Sequence, residues 1–255
     1  MPLVLAVAMQ KGGVGKTTTS LNLAVNLAAK GKRVLAIDLD PQASLTEGFG
    51  VDRSSIERTV YDVLLNPEYD PTFAILETST GVQLIPSSIA LASAEMQLSA
   101  AVGRELLLKE ALIHLADRYD YILIDSPPSL GLYTYNALAA ANAVLVPLKA
   151  TDVYGLKAIP HLEAAVKLVR KINPQLHIGG FLITQADKRM NITQIIETQV
   201  RGDYKEAVFK AVIPFSSKQA ETPALGQPIS SYAPKSPADV AYQQFTEEVL
   251  SRYGN

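Results

Sequence analysis

The sequence predicts an α/β fold: a mostly parallel, twisted sheet with helices on both faces. Three observations carry that prediction. Short apolar runs rich in β-branched residues alternate with stretches of helical periodicity along all 255 residues. Several of these runs have a continuous apolar core, such as VLAI (34–37), YILI (121–124) and AVLVPL (143–148), as strands buried on both faces require. A Gly-rich turn lies directly between the first run and the first helical stretch, and in open α/β sheets ligands gather at the carboxyl ends of the strands.

In chain order, LVLAVAM (3–9) reads as a buried strand, followed by a helix over 16–29 that Gly31 can terminate. RVLAID (33–38) is the second strand, TVYDVLL (59–65) a short helix, and GVQLIPSS (81–88) a strand ending at Pro86. In GRELLLKEALIHLADR (103–118), Leu107, Leu108, Ala111, Leu112 and Leu115 recur at the spacing of one helix face. YDYILID (119–125) and NAVLVPL (142–148) are strands with a helix near 133–141 between them. A long helix over about 155–172 follows, with Pro160 in its first turns, and then the strand HIGGFLIT (177–184). A helix near 191–201, the strand AVFKAVI (207–213) and a helix near 237–252 complete the pattern. No internal repeat, low-complexity linker or break in composition divides the chain, so one domain over 1–255 is expected.

Composition narrows the class. With 48% hydrophobic and 19% charged residues the chain can bury a substantial core. No apolar run approaches the roughly 18 residues that span a bilayer, and the N-terminus lacks the pattern of a secretory signal. The absence of cysteine excludes disulfides, thiolate metal sites and cysteine-ligated iron–sulfur clusters. His114, His161 and His177 have no metal-ligand spacing. A soluble, cytosolic protein is expected. The formal net charge of −2 hides an asymmetry: −5 over 1–152, +5 over 153–218 and −2 over the tail. The basic third quarter hints at polyanion contact.

The stretch AMQKGGVGKTTTSLN (8–22) has the chemistry of a phosphate-binding loop, although Gln10 stands where the common pattern has glycine. Gly12, Gly13 and Gly15 let the backbone fold closely round phosphates, and Val14 adds a further N–H among them. The following helix presents a positive dipole end. Lys16 is placed to contact β- and γ-phosphates, the Thr17 hydroxyl to ligate Mg²⁺, and Thr18 to bond the α-phosphate.

At these residues the chain resembles the ParA/MinD family of deviant Walker A ATPases. KGGVGKTTT matches the family's box, DLDPQAS (38–44) resembles its switch I, and YILIDSPPS (121–129) resembles its Walker B strand and switch II. The likeness extends to the stretch over 212–242, similar to the C-terminal region of ParA proteins. It implies a P-loop NTPase fold that uses ATP and Mg²⁺. It also implies that Lys11 reaches across a homodimer interface to phosphates held by the partner subunit.

Asp125 ends an apolar strand, where a carboxylate can bind Mg²⁺ directly or through water; the alternative is a strand-end aspartate that caps the next turn. Asp38 and Asp40 lie two apart before Pro41. By resemblance Asp40 orients the attacking water and Asp38 helps organise the metal shell; both are otherwise ordinary turn residues. The resemblance puts the adenine base against Pro214 and Phe215, where many relatives have arginine and asparagine after the proline and this chain has Phe215 and Ser216. It also makes Lys188, Arg189 and Lys218 candidates for nonspecific DNA contact, against the alternative of a solvated surface. About six phosphate contacts per dimer would give a log–log salt slope near −5.

Other readings fit less well. The tail AYQQFTEEVLSRYGN lacks the basic amphipathic helix of a MinD-like membrane ATPase. A nitrogenase-type iron protein needs cysteine. Related small-molecule ligases such as dethiobiotin synthetases generally lack the Lys11 equivalent, and tyrosine-kinase relatives carry a C-terminal tyrosine cluster that Tyr232, Tyr242 and Tyr253 do not form. A dead loop is disfavoured by the presence of Lys16, Thr17, Asp40 and Asp125 together. The expectation is a slow, partner-stimulated ParA-type ATPase, cytoplasmic and nucleoid-associated, that positions a plasmid, chromosome or protein cargo such as a carboxysome through a ParB-like adaptor.

Overall fold

In the computed structural model, which describes residues 1–98 and 100–254, the strands of the chain join in one sheet. They are β1 (Leu3–Val7), β2 (Val34–Asp38), β3 (Leu76–Glu77), β4 (Gln83–Ile85), β5 (Tyr121–Asp125), β6 (Ala143–Lys149), β7 (His177–Ala186) and β8 (Val208–Pro214). Their order is β3-β4-β2-β5-β1-β6-β7-β8, and every pairing is parallel except that of the short β3 with β4. The chain winds outward from β1 in both directions, so the carboxyl end of β1 lies where the strand order reverses, the place where such folds bind ligands.

Alternation along the strands assigns every side chain to a face. Val4 and Ala6 of β1, Leu35 and Ile37 of β2, and Ile122 and Ile124 of β5 enter one core. Helices α3 (Val60–Leu65), α4 (Ala90–Leu98), α5 (Leu107–Leu112), α6 (Leu132–Ala140), α7 (Val153–Val169) and α8 (Asn191–Tyr204) supply the rest of it. Leu5, Val7, Val34, Ala36, Tyr121 and Leu123 enter the other core. There they meet α1 (Lys16–Ala29), α2 (Ser44–Gly48), α10 (Ile229–Tyr232) and α11 (Pro237–Tyr253). The same parity puts Asp38, at the end of β2, and Asp125, at the end of β5, on the α1 face. Those two residues are paired neighbours in the β2–β5 register.

α11 buries Tyr242, Phe245 and Val249 in the second core, and Phe245 meets Phe209 of β8 edge-to-face with ring centroids 4.8 Å apart. The acidic tail therefore packs against the sheet, and among the described residues no helix is long and apolar enough to cross a membrane.

Some elements differ from expectation. The helix expected over 103–118 begins only at Leu107, after a turn at Gly103 (φ +70°), and passes at Ile113–Leu115 into a 3₁₀ turn. Its five apolar positions are nevertheless all buried. α7 starts two residues earlier than its periodicity suggested, which moves Pro160 to mid-helix on the solvent side. There its missing N–H leaves the Leu156 carbonyl without an intrahelical donor. Short elements such as α2, α4, α10, β3 and α9 (Ser217–Leu225) were not anticipated, because two to nine residues carry too little periodicity to register.

Candidate functional site

The segment from Ala8 to Gly15 leaves the carboxyl end of β1 and turns into α1. Gly13 (φ +71°) and Gly15 (φ +90°) occupy the left-handed region that glycine enters without strain. A Cβ added at Gly12 or Gly13 would meet nothing within 4 Å, so these two residues border open space. The N–H groups of Gly12, Gly13, Val14 and Gly15 make no backbone hydrogen bond among the described residues. α1 starts with no side-chain cap and no acidic residue in its own first turn, so its first N–H groups are not taken up by its own side chains. Unpaired loop amides beside a helix N-terminus are the parts of an anion cradle. From outside, the end of β7 clamps the loop: Thr184 Oγ1 donates to the Val14 carbonyl at 2.8 Å, and Gln185 Nε2 donates to that of Gly13 at 2.7 Å.

The two lysines occupy different environments. Lys16 is buried, and its Nζ donates to the Lys11 carbonyl at 2.8 Å, inside the curl of the loop. Burial lowers its pKa, opposed by the charges of Asp125 and Asp40. The Lys11 side chain is one-third exposed at the rim, and its Nζ lies 2.6 Å from Asp152 Oδ1 and over the Tyr154 ring at 5.5 Å. Asp152 precedes α7. Burial pushes its carboxyl up, but the Lys11 hydrogen bond and the N–H groups of Gly155 and Tyr154 outweigh it and hold the group below its usual range.

Asp125 is fully buried and accepts from Thr17 Oγ1 at 2.7 Å and Ser20 Oγ at 2.9 Å. Thr17 and Ser20 lie three apart on α1 and so share a face. Burial raises the Asp125 carboxyl and the adjacent Asp38 raises it further, against the two hydroxyls and Lys16. Asp38 is also fully buried; its Oδ2 accepts from the Thr46 N–H and hydroxyl, and its Oδ1 from the Asp40 N–H. Burial pushes its carboxyl up to about 6, despite those donors. Both oxygens of Asp38 thus brace the segment that carries Asp40. Asp40 itself turns its Oδ1 onto the Gln42 N–H at 2.9 Å, and Ala43 follows in the left-handed region (φ +56°), a conformation costly for a residue other than glycine.

Among the described residues no group of three or more His, Asp or Glu could hold a metal alone. A hydroxyl and one carboxylate beside an anion cradle suit Mg²⁺, which keeps several waters and takes ligands from substrate phosphates.

Pro214 and Phe215 lie at the end of β8, beside a cavity of about 190 Å³ that Gly15 and Thr18 also line. The side of the cradle therefore opens directly onto the segment expected to meet a base. Ala186 pairs with Pro214 in the sheet, and the Phe215 N–H donates to the Ala186 carbonyl at 3.0 Å. Lys188, Arg189 and Lys218 consequently emerge at the same edge, all exposed. Arg189 is not an isolated charge: its guanidinium forks onto both oxygens of Asp187, whose carboxyl this pairing holds down at about 2.

Sequence reasoning did not single out Ser20, Thr46, Asp152, Thr184 or Gln185. Ser20 was legible as the i+3 partner of Thr17, and Asp152 as the acidic residue between a strand and a helix. Gln185 carries no signal in sequence, since its position depends on β7 ending against the loop.

A family model described as an AAA domain matches residues 3–178. The sporulation initiation inhibitor protein Soj of Bacillus subtilis is 41% identical over 253 residues, covering 98% of this chain and 99% of that protein. The chromosome partitioning protein ParA of Myxococcus xanthus is 40% identical over 252 residues, with 98% and 88% covered. The crystal structure of cobyrinic acid a,c-diamide synthase from Mycobacterium smegmatis, with bound ADP and magnesium, superposes with a TM-score of 0.87 at 36% identity and covers 99% of this chain and 96% of that one. Carrying the Gly-rich loop with both lysines, the Thr17–Asp125 pair and full-length kinship with Soj and ParA, the chain belongs to the ParA/MinD family of P-loop ATPases.

Proposed function

We propose that this chain is a ParA-type partition ATPase acting as one unit over residues 1–255, in which ATP closes two copies into a dimer that binds DNA without sequence preference. The observation that carries the proposal is the pairing of a complete cradle, Lys16 with the Thr17–Asp125 pair, with a second lysine, Lys11, at the cradle's exposed rim. An ATPase complete in one subunit has no need of that second lysine.

The roles follow from position. The N–H groups of residues 12–15 and Lys16 hold the phosphates, and Thr18 lies beside the α-phosphate. Thr17 and Asp125 hold Mg²⁺, with Asp38 shaping the shell by fixing the turn that follows it; the metal, when bound, neutralises charge that develops on the phosphates. Asp40 leaves its resting turn to orient water. Lys11, delivered by the partner copy, adds a cation where charge accumulates, a contribution worth about 10³–10⁵ in rate in related enzymes. The base lies against Pro214 and Phe215. Lys188 and Lys218 meet DNA phosphates, and Arg189 does so only after releasing Asp187. The ADP and magnesium bound by the Mycobacterium smegmatis relative support the ligand assignment, and the likeness to Soj and ParA supports a ParB-like adaptor that stimulates hydrolysis at the nucleoid in the cytoplasm.

The direct test is retention of the protein on nonspecific DNA with ATP, ADP or no nucleotide, at stated salt. Retention only with ATP and Mg²⁺ is expected. Equal retention in all three conditions would refute the nucleotide-gated reading.

A further inference from the structure

The cavity beside Gly15 and Thr18 is lined by a residue whose side chain carries a polar atom that the described residues leave without a partner. Gln219, in the first turn of α9, lines this cavity. Its Oε1 is buried and accepts no hydrogen bond among the described residues. Buried side-chain carbonyls are rarely left so, because an unmet acceptor forfeits its hydration.

The orientation of the amide follows from its neighbour. Thr222 is almost fully buried, and its hydroxyl donates to the Gln219 main-chain carbonyl at 2.9 Å. A hydroxyl has a single hydrogen, so towards the Gln219 side chain Thr222 Oγ1 can only accept. The amide nitrogen therefore faces Thr222, at 2.8 Å, and Oε1 is left as the free end. The backbone is fixed as well, since the Gln219 N–H donates to the capping hydroxyl of Ser216 at 3.2 Å.

Resting on the reading of the loop as a nucleotide site, we infer that Gln219 is a specificity-determining residue that selects a purine bearing an exocyclic amine. The cavity, about 190 Å³, is several times the roughly 30 Å³ that a water molecule occupies, and it opens onto the phosphate cradle through Gly15 and Thr18. A base entering it over Pro214 and Phe215 meets a fixed acceptor. The 6-amino group of adenine donates to that acceptor. The 6-oxo group of hypoxanthine or guanine opposes it, oxygen to oxygen. A site with a locked hydrogen-bonding group rejects the mismatched analogue far better than an apolar pocket does. Phe215, 60% exposed at the cavity's rim, supplies an aromatic face but no such discrimination.

The test is calorimetric titration of the full chain with ATP and with ITP, which differs at the 6-position, in the presence of Mg²⁺. The wild type is expected to bind ATP about tenfold or more tightly than ITP. Gln219→Leu keeps the bulk and removes the acceptor, so that ratio should fall to within about threefold, mainly through weaker ATP binding. Thr222→Val leaves Gln219 in place but frees the amide to turn its N–H₂ towards the base, so ITP should gain on ATP. This second variant, together with the wild-type ratio, decides the matter if Gln219→Leu proves unfolded by circular dichroism. An unchanged ratio in folded Gln219→Leu overturns the inference, as does equal binding of ATP and ITP by the wild type. Failure of the wild type to bind either nucleotide overturns the nucleotide-site reading itself, a distinct result.

Discussion

Lys11 and Asp152 form an ion pair within one chain, Nζ to Oδ1 at 2.6 Å, so the lysine assigned to the partner's site is held at home in the monomer. Both side chains are partly shielded, at 34% and 13% exposure. Pairs of this kind contribute modestly, about 0.2–1 kcal/mol. Asp152→Asn should therefore lower the ATP concentration at half-maximal dimerisation by about 1.5- to 5-fold, as read by light scattering. A higher ATP requirement would show that Asp152 serves the dimer instead of restraining it.

Asp125 destabilises the resting fold in order to be available. Its carboxyl, ordinarily near 3.8, is raised to about 7, first by burial and then by Asp38. The folded state thus binds the proton more tightly than the unfolded chain does, and stability falls as pH rises across that window. Asp125→Asn removes this dependence. Without nucleotide, the variant should melt a few degrees above the wild type at pH 8, with the difference shrinking towards pH 5, while Mg²⁺ should no longer strengthen its ATP binding. A lower melting temperature at pH 8 would contradict the assignment.

Among the described residues the Asp40 carboxylate accepts only from the Gln42 N–H of its own turn. Asp40→Ala should keep ATP-dependent dimerisation and reduce phosphate release by at least about 10²-fold, the scale of a general-base contribution. Hydrolysis at the wild-type rate would remove Asp40 from the reaction.

The basic edge separates charge that is available from charge that is paired. Arg189 is bound to Asp187 through both oxygens, whereas Lys188 and Lys218 form no ion pair among the described residues. Charge reversal at Lys188 and Lys218 should weaken DNA binding and flatten its log–log salt slope by about 2 per subunit, with ATP affinity unchanged. Unaltered binding would move the DNA surface elsewhere.

The tail of the chain is structural. Phe245 is fully buried and packs edge-to-face on Phe209, so Phe245→Ala should cost about 3–5 kcal/mol of stability, measured by denaturant unfolding. A loss below about 1 kcal/mol would mean that α11 can leave the sheet.

Much of this was legible in the sequence for a physical reason. β1 is apolar throughout, and β2, β5 and β6 are apolar up to the charged residue that ends each, because both faces are covered; their alternation fixes which side Asp38 and Asp125 face. Gly13 and Gly15 announce the loop because few other residues tolerate its backbone. The rest depends on the meeting of distant segments. Nothing local to Asp152 points to Lys11, 141 positions away, nor does anything near Gln185 point to Gly13. Gln219 was invisible for a subtler reason: its significance lies in the one hydrogen bond it does not make, which depends on how Thr222 has used its own hydrogen.

The central claim is that a second copy of the chain completes the site through Lys11. Size-exclusion chromatography with light scattering tests it most directly, on the wild type and Lys11→Ala, each with ATP and Mg²⁺ and each with ADP. The wild type should be dimeric with ATP and monomeric with ADP, and Lys11→Ala should stay monomeric in both while still binding ATP. A wild type that remains monomeric with bound ATP, or a Lys11→Ala variant that dimerises as readily as the wild type, would contradict the account.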